Sequence, residues 1–328
     1  MKSDFIWMDG KIVPFADAKV HLHSPSLHYG PGVFEGIRCY DTMHGPATFR
    51  LWEHMVRFTR SIHVLGFDSP YSVEELCDAV HETIFANQFR ACYIRPLMYL
   101  EGPLALNLDE TFPHVSISTW EWGTFLGKEA LENGATAMVS SFTRMHANSS
   151  MTKAKITGQY VNSMLAKSMA LKMGVKEAIL LDTEGFVAEC SGENIFLVRD
   201  GKIFTPPRAT ILEGITRDCV ITLATDLGYE VIEETISRDQ LYIADEIFVC
   251  GTAAEVTPVS QIDFRKIGPG KRGPITKEIQ EAFFENTRGN GRYSEKWLDW
   301  SWSSSPPDPN HAKEYPHDPA HAHAQIKR

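Results

Sequence analysis

The chain has 328 residues, of which 43% are hydrophobic and 23% are charged, a balance typical of a soluble globular protein with about two domains. Its formal net charge of −10 argues against a nucleic-acid-binding protein, which would normally carry a basic surface. The first residues lack the apolar core of a signal peptide, and no run is long enough to span a membrane. The six cysteines are scattered without metal-ligand or disulfide spacing, so we expect reduced thiols in a cytoplasmic protein and no metal site.

The first part of the chain combines short strands with amphipathic helices. An Asp9-Gly10 turn inside an alternating pattern predicts a hairpin over residues 5–13. Apolar residues at helical spacing predict a helix over 51–66. Ser72 is placed to cap the N-terminus of a second helix.

Candidate binding residues occur in two stretches of this part. The glycine-rich run at 28–41, HYGPGVFEGIRCYD, contains Tyr29, Phe34 and Arg38, which could face a pocket. The alternative is that Phe34 belongs to the core and Arg38 pairs with a surface carboxylate. Arg95 lies in an apolar strand, where a buried arginine is costly unless it is paired, so we expect it to meet a protein or ligand anion.

Composition divides the chain into segments. We predict a small domain over 1–120, a connector over 121–132 around two glycines, and a larger domain over 133–300. The tail, 301–328, is rich in Pro, Ser and His and nearly free of aliphatic residues, so we expect it to be disordered. Its histidines lack an enforced ligand spacing, which favours a solvated tail over a metal site.

The second part begins with two closely spaced lysines. Lys153 and Lys155 precede a glycine break at Gly158 and an apolar-periodic run that predicts a helix ending at Gly174. A lysine in this position can point into a pocket, although most lysines are solvated surface charges.

Three further features of this part are candidate binding elements. Residues 177–205 read as an antiparallel meander, with Glu189 at the end of a strand, where it could point inward. Residues 214–216 lead into a helix N-terminus, which offers free N–H groups to a phosphate, although an ordinary helix start has the same pattern. The small-residue turn at 251–254 could bind a carboxylate through its N–H groups.

Taken together, these stretches resemble the fold-type-IV pyridoxal-phosphate enzymes, and within them the branched-chain amino acid aminotransferases. The matching runs, in family order over about residues 5–300, are HYGPGVFEGIRCYD, EHMVRF, YIRP, WGTFLG, KITGQYVNS, AECSGENIF, ILEGITRD and GTAAEVTPV. The resemblance implies an α/β (α+β) protein of two domains, similar to D-amino acid aminotransferase, with pyridoxal 5'-phosphate in the interdomain cleft. It also implies a homodimer or a dimer-based hexamer.

The resemblance further implies how the cofactor is bound. Lys155 matches the catalytic lysine that bonds covalently to the cofactor, whereas Lys153 has no such role. Tyr160 would hydrogen-bond the phenolate oxygen, and Glu189 would meet the pyridine nitrogen. The residues implied to hold the phosphate are Arg57, Ile215, Thr216 and Thr252.

Substrate roles follow from the same resemblance. The α-carboxylate would bind Tyr93 and the Thr252-Ala253 turn with support from Arg38, and Arg95 would pair with the distal carboxylate of glutamate or 2-oxoglutarate. The aliphatic pocket would be lined by Phe34, Trp122, Phe125 and Tyr160, with Tyr29 supplied by a second subunit. The implied reaction is transamination between branched-chain L-amino acids and 2-oxoglutarate.

Two departures keep alternatives open. Phe125 stands where many bacterial members have tyrosine, and residues 102–108 align poorly with a glycine-rich loop of the family. The alternatives are a D-amino acid or (R)-amine transaminase and an aminodeoxychorismate lyase, the last of which would not need Arg95. A non-catalytic cofactor-binding protein is disfavoured by the presence of Lys155, Tyr160 and Glu189.

Overall fold

The computed structural model describes residues 3–123 and 125–300, which fall into two units. The first unit contains the described residues up to Trp122, the segment Ala154–Gly158, and the residues from Glu295 onward. The second contains Gly123–Lys153 and Gln159–Ser294. The tail predicted to be disordered lies outside the described residues, and the boundaries of the two predicted domains stay a prediction.

The first unit is built on an antiparallel eight-stranded sheet. Its strands are β1 (Phe5–Met8), β2 (Lys11–Pro14), β3 (Val33–Phe34), β4 (Ile37–Thr42), β5 (Gly45–Phe49), β6 (Cys92–Glu101), β7 (Phe112–Trp120) and β17 (Leu298–Asp299). Their order is β17-β5-β4-β6-β7-β1-β2, and β3 pairs with β6. The helices are α1 (Pro25–Tyr29), α2 (Leu51–Val64) and α3 (Val73–Ala86), with a short 3-10 helix at Phe15–Asp17.

Local sequence signals explain the elements of this unit. Asp9 and Gly10 have positive φ angles of 45° and 87°, as the predicted hairpin turn requires. The apolar stripe of α2 is at most 1% exposed and packs with β4 and β6 in one core. Ser72 and Glu75 form a capping box that fixes the start of α3. The predicted hairpin and both predicted helices are therefore confirmed.

The second unit contains a nine-stranded mixed sheet. Its strands are β8 (Ala135–Val139), β9 (Glu177–Leu181), β10 (Val187–Cys190), β11 (Asn194–Arg199), β12 (Lys202–Thr205), β13 (Val231–Glu233), β14 (Glu246–Gly251), β15 (Glu255–Ile262) and β16 (Arg265–Lys266). The helices are α4 (Ala130–Asn133), α5 (Ala147–Ser150), α6 (Tyr160–Lys172), α7 (Ile215–Asp226), α8 (Arg238–Tyr242) and α9 (Pro274–Thr287). A 3-10 helix at Thr157–Gln159 precedes α6, another lies at Arg208–Thr210, and α10 (Ser294–Trp297) follows α9 in the chain.

The order of this sheet corrects the predicted meander. The strands run β10-β9-β8-β15-β14-β11-β12-β13, so the hairpins β9–β10 and β11–β12 are separated by three strands. Strand β8 pairs in parallel with both β9 and β15. The antiparallel hairpins were predicted correctly, but a single continuous meander was wrong because non-local parallel pairs intervene.

Helix α6 has an unusual distribution of apolar residues. It forms as predicted and is followed by Gly174, whose φ is 80°. Its buried residues are Ala166 and Ala170. Its large apolar side chains are 40–69% exposed, namely Val161, Met164, Leu165, Met169 and Leu171. A helix that turns two alanines inward and larger side chains outward presents an apolar surface.

The predicted environment of the cysteines is confirmed, since all six are buried thiols. Burial raises the pKa of the Cys250 thiol, which keeps it protonated and apolar. None of the helices within 3–123 and 125–300 has the length and apolar character needed to cross a membrane.

Candidate functional site

The segment carrying Lys155 is attached to the sheet of the first unit. The N–H of Phe34 donates to the carbonyl of Lys155 at 3.1 Å, and the N–H of Thr157 donates to the carbonyl of Gly32 at 2.8 Å. The N–H of Lys155 donates to the hydroxyl of Ser61 on α2, also at 3.1 Å. These bonds fix the backbone of Lys155 on both sides. Its ammonium lies 4.8 Å from the centroid of the Phe34 ring.

Lys153 has a different environment in the second unit. Its Nζ donates to the carbonyls of Arg208 and Ile211, the latter at 3.1 Å, and lies 3.4 Å from a carboxylate oxygen of Glu213. These contacts hold the loop before α7. The two lysines thus lie in different units, because Lys153 binds the loop before α7 in the second unit and the ammonium of Lys155 lies over the Phe34 ring in the first.

Arg95 contacts aromatic rings. Its guanidinium carbon lies 4.7 Å from the centroid of Phe34 and 5.5 Å from that of Tyr93. Its buried Nε has no hydrogen-bond partner among the described residues, and no described carboxylate forms a salt bridge with Arg95. Since Arg95 is half-buried with a fully buried Nε, its cation needs an anion, and this arrangement favours a ligand over a protein carboxylate as the partner of Arg95.

Tyr93 and Arg38 lie side by side on neighbouring strands of the first sheet. They are direct cross-strand partners on β6 and β4, and both are buried. The Tyr93 ring packs edge-on against Trp122, with centroids 4.5 Å apart. A Cβ at Gly36 would lie 2.0 Å from the Tyr93 hydroxyl, so only glycine permits this position of the hydroxyl. The predicted α-carboxylate and pocket residues of the first unit are therefore neighbours.

Arg57 belongs to a buried ionic cluster that sequence reasoning missed. Its Nε and Nη2 donate to the two carboxylate oxygens of Glu35 at 2.6 and 2.9 Å. Nδ1 of His54 lies 2.7 Å from Glu35, which is fully buried. Burial would raise the pKa of Glu35, but the charges of Arg57 and His54 and their hydrogen bonds lower it overall. Burial lowers the pKa of His54, so Arg57 is the counterion of Glu35 at pH 7.

Replacing Glu35 with glutamine in the cofactor-free protein should reduce the free energy of unfolding by about 3–5 kcal/mol at neutral pH, because it removes the carboxylate that Arg57 binds with two hydrogen bonds in a buried cluster. In the native protein the folded-state pKa of Glu35 lies below its ordinary value of 4.5. The folded chain then binds fewer protons than the unfolded chain. The Glu35 contribution is therefore present above about pH 4.5 and is lost as the pH falls toward the lowered pKa.

Urea unfolding followed by circular dichroism across the acidic range measures both effects. The control is Glu53→Gln, which removes the partner of Arg50 at a partly exposed position and should cost at most about 1 kcal/mol. Equal stabilities of the Glu35→Gln and wild-type proteins at neutral pH would show that the ion pair contributes nothing.

Glu189 lies in a polar network of the second unit. One carboxylate oxygen lies 2.6 Å from Nε of Arg144, and the other accepts from the N–H of Leu212 at 3.1 Å. Nδ2 of Asn194 reaches that second oxygen at 3.4 Å. Glu189 is 8% exposed and lies at the end of β10, as predicted. The network holds the carboxylate at a fixed position beside the guanidinium of Arg144.

The N-terminus of α7 retains the features of an anion site. None of the described side chains caps it, and the predicted contact residues Ile215 and Thr216 form its first turn. A Cβ at Gly214 would lie 2.0 Å from Oδ1 of Asn194, so a glycine is required there. Asn194 also donates to the carbonyl of Leu212 at 3.1 Å. One asparagine thus positions both Glu189 and the start of α7.

The remaining predicted site residues lie in turns, in loops and at helix ends. Thr252 and Ala253 occupy the turn between β14 and β15, and Tyr160 opens α6. Phe125 is partly buried against the core of the second unit. Tyr29 is 51% exposed at the end of α1.

Two residues of these networks carried weak sequence signals. Glu35 lies inside the FEGIR run, beside the aromatic and arginine that were singled out. Arg144 ends a short strand pattern and resembles any surface arginine in sequence. Their exposed fractions of 0% and 7%, which no local sequence pattern reveals, are what identify them.

Comparison with known proteins gives consistent matches. Residues 32–262 match the class IV amino-transferase family. The chain is 47% identical over 294 residues to a branched-chain-amino-acid aminotransferase of Pseudomonas aeruginosa, covering 89% of this chain and 95% of that protein.

Solved structures agree in fold. The branched-chain amino acid aminotransferase of Escherichia coli superposes with a TM-score of 0.89 at 46% identity, covering 91% of this chain and 99% of that one. The T.th. branched-chain amino acid aminotransferase, complexed with N-(5'-phosphopyridoxyl)-L-glutamate, gives a TM-score of 0.87 at 49% identity with the same coverage.

Proposed function

This chain belongs to the class IV amino-transferases, and we propose that it transfers the amino group of branched-chain L-amino acids to 2-oxoglutarate, giving branched 2-oxo acids and L-glutamate. The observation that carries this proposal is Arg95, a cation with an unsatisfied buried Nε among aromatic rings. Such a group suits a substrate carboxylate next to an apolar surface. The resemblance of this chain to branched-chain aminotransferases over 89% of its length supports the same substrates.

The cofactor of this reaction is pyridoxal 5'-phosphate, and the residues present fit it. Lys155 supplies the amine for covalent attachment, and Glu189 supplies a buried carboxylate for the pyridine nitrogen. Tyr160 is assigned to the phenolate oxygen. The uncapped start of α7 suits the phosphate. The residues assigned to the phosphate are Arg57, Ile215, Thr216 and Thr252. The relative complexed with N-(5'-phosphopyridoxyl)-L-glutamate supports the cofactor itself.

When bound, the cofactor withdraws electrons from the substrate Cα, and the protein positions and tunes it. Lys155 would take the proton from Cα of the amino acid as general base, hold it on its amine, and then give up that same proton as general acid. Its backbone is held by Phe34 and Ser61, which limits where the amine can reach. Glu189, held by Arg144 and the N–H of Leu212, would meet the pyridine nitrogen of the cofactor and would favour the protonated form of that nitrogen.

Dual specificity follows from the surroundings of Arg95. We assign the α-carboxylate to Tyr93, Thr252 and Ala253, with Arg38 in support. A leucine side chain contacts the aromatic residues assigned to the pocket, which are Phe34, Trp122, Phe125 and Tyr160. A glutamate side chain places its distal carboxylate on Arg95, where a charge-assisted hydrogen bond satisfies the buried Nε.

The related reactions are less well supported. An aminodeoxychorismate lyase would not use the half-buried Arg95 for a distal carboxylate. The amine donor of an (R)-amine transaminase has no carboxylate for Tyr93 and Arg38. A steady-state assay of glutamate formation from L-leucine and 2-oxoglutarate tests the proposed function. No glutamate formation with cofactor bound would reject it.

We also propose that the protein is a cytoplasmic homo-oligomer, either a dimer or a dimer-based hexamer. The exposed apolar face of α6 supports this, because surfaces of that kind mark protein interfaces. The exposed Tyr29 is assigned to the site of a second copy. The reduced, buried thiols support a reducing compartment. Sedimentation velocity at micromolar concentration distinguishes monomer, dimer and hexamer.

A further inference from the structure

A buried charged cluster lies in the second unit, and no step of the proposed reaction uses it. It consists of Lys167 on α6, Glu177 at the start of β9, and Glu193 in the turn between β10 and β11. Glu177 and Glu193 are only 1% and 4% exposed. Placing charged groups in such an environment is costly, so their contacts need to be accounted for.

Lys167 is shared between a carboxylate and an aromatic ring. Its ammonium forms an ion pair with Oε2 of Glu177 and lies 4.6 Å from the centroid of Phe125. Its side chain is 21% exposed, so both contacts form largely away from water, where a cation–π interaction is strongest. The lysine therefore fixes one side of the Phe125 ring.

Glu177 fixes the lysine in turn. Its other oxygen accepts from its neighbour Ala178 N–H at 2.8 Å and from the N–H of Ser191 at 3.3 Å. Ser191 lies two residues beyond Glu189, so the same carboxylate also restrains the turn after the pyridine-nitrogen residue. Phe125 is thereby joined through Lys167 and Glu177 to strand β9 and to the turn that follows β10.

Glu193 does not compete for the lysine. Burial, followed by the charge of Glu177, raises the pKa of Glu193 well above its usual value. One of its oxygens accepts from the N–H of Gly192 at 3.1 Å. A neutral Glu193 leaves Lys167 and Glu177 as one matched pair.

We propose that Lys167 is a positioning residue that holds Phe125 as a wall of the aliphatic pocket and so favours branched-chain side chains. This inference rests on the proposed function, in which Phe125 lines that pocket. Phe125 has no hydroxyl through which a hydrogen bond could fix its ring. Its orientation therefore depends on packing and on contacts to its ring, among them the contact with the ammonium of Lys167.

The test measures kcat/KM for L-leucine and for L-glutamate in the holoenzyme. Lys167→Met should lower kcat/KM for L-leucine about fivefold. The kcat/KM for L-glutamate should stay within about twofold of the wild-type value, because Arg95, and not Phe125, fixes the distal carboxylate of glutamate. Lys167→Arg retains a cation and should restore the leucine value. Lys172→Met, on an exposed position of the same helix, is the matched control and should change neither value.

Two further variants separate positioning from folding. Lys167→Met combined with Glu177→Gln removes the lysine without leaving a buried charge, and it should show the same selective loss. In a Phe125→Leu background, Lys167→Met should have no added effect on the leucine-to-glutamate ratio. Equal losses for both substrates, or a ratio that still changes without Phe125, would overturn the inference. A wild-type protein inactive on both substrates would instead reject the proposed function.

Discussion

Replacing Lys155 with alanine is expected to lower turnover of L-leucine with 2-oxoglutarate by at least about 10⁴-fold, because it removes both the covalent attachment and the general base. The visible absorbance of the lysine-bound cofactor should disappear as well. Steady-state kinetics and an absorption spectrum of the purified variant measure the two effects.

Lys153→Ala is the matched control for this prediction. It removes a lysine two residues away whose ammonium binds carbonyls of the loop before α7. The variant should keep the absorbance of the covalently bound cofactor, with at most a loss of stability. Retention of full activity in the Lys155→Ala variant would remove the basis for a transaminase altogether.

Replacing Arg95 with alanine is expected to impair the reaction of L-glutamate much more than that of L-leucine. It should reduce kcat/KM for L-glutamate and 2-oxoglutarate by about 30-fold to 1,000-fold, the cost of removing one partner from a buried charge pair. L-leucine carries no distal carboxylate, so its value should fall by less than about threefold. Steady-state kinetics measured separately with L-glutamate and with L-leucine give the ratio of the two kcat/KM values.

Arg90→Ala is the corresponding control. Arg90 lies just before the same strand, but its side chain is 66% exposed and pairs with Asp41 at the surface. The Arg90→Ala variant should keep the wild-type kcat/KM for both L-glutamate and L-leucine. Comparable losses for glutamate and leucine in Arg95→Ala would mean that Arg95 supports the aromatic residues around it and binds no substrate carboxylate.

Helices and hairpins were predictable because their signals are local. The apolar stripe of α2, the Ser72 capping box and the Asp9-Gly10 turn each depend on residues within a few positions of one another. The burial of Glu189 at the end of a strand was also anticipated, because strand ends bring side chains to an edge.

Long-range relations were harder to predict. The pairing of β8 with β9 and β15 joins strands far apart in the chain, and no local pattern fixes it. The attachment of the Lys155 segment to β3 likewise joins distant residues. For α6, periodicity predicted the helix, but it did not indicate that the small Ala166 and Ala170 would face inward. The roles of Glu35 and Lys167 became visible only through their burial and partners.

The most direct test of the account is a single-turnover half-reaction. Purified protein with bound cofactor is mixed separately with L-leucine, L-glutamate, D-alanine and (R)-1-phenylethylamine while the cofactor absorbance is followed. Fast conversion by both L-leucine and L-glutamate, with no comparable conversion by the other two, is the predicted result. Conversion by D-alanine or the amine alone, or by none of the four compounds, would contradict a branched-chain transaminase with a dual-substrate site.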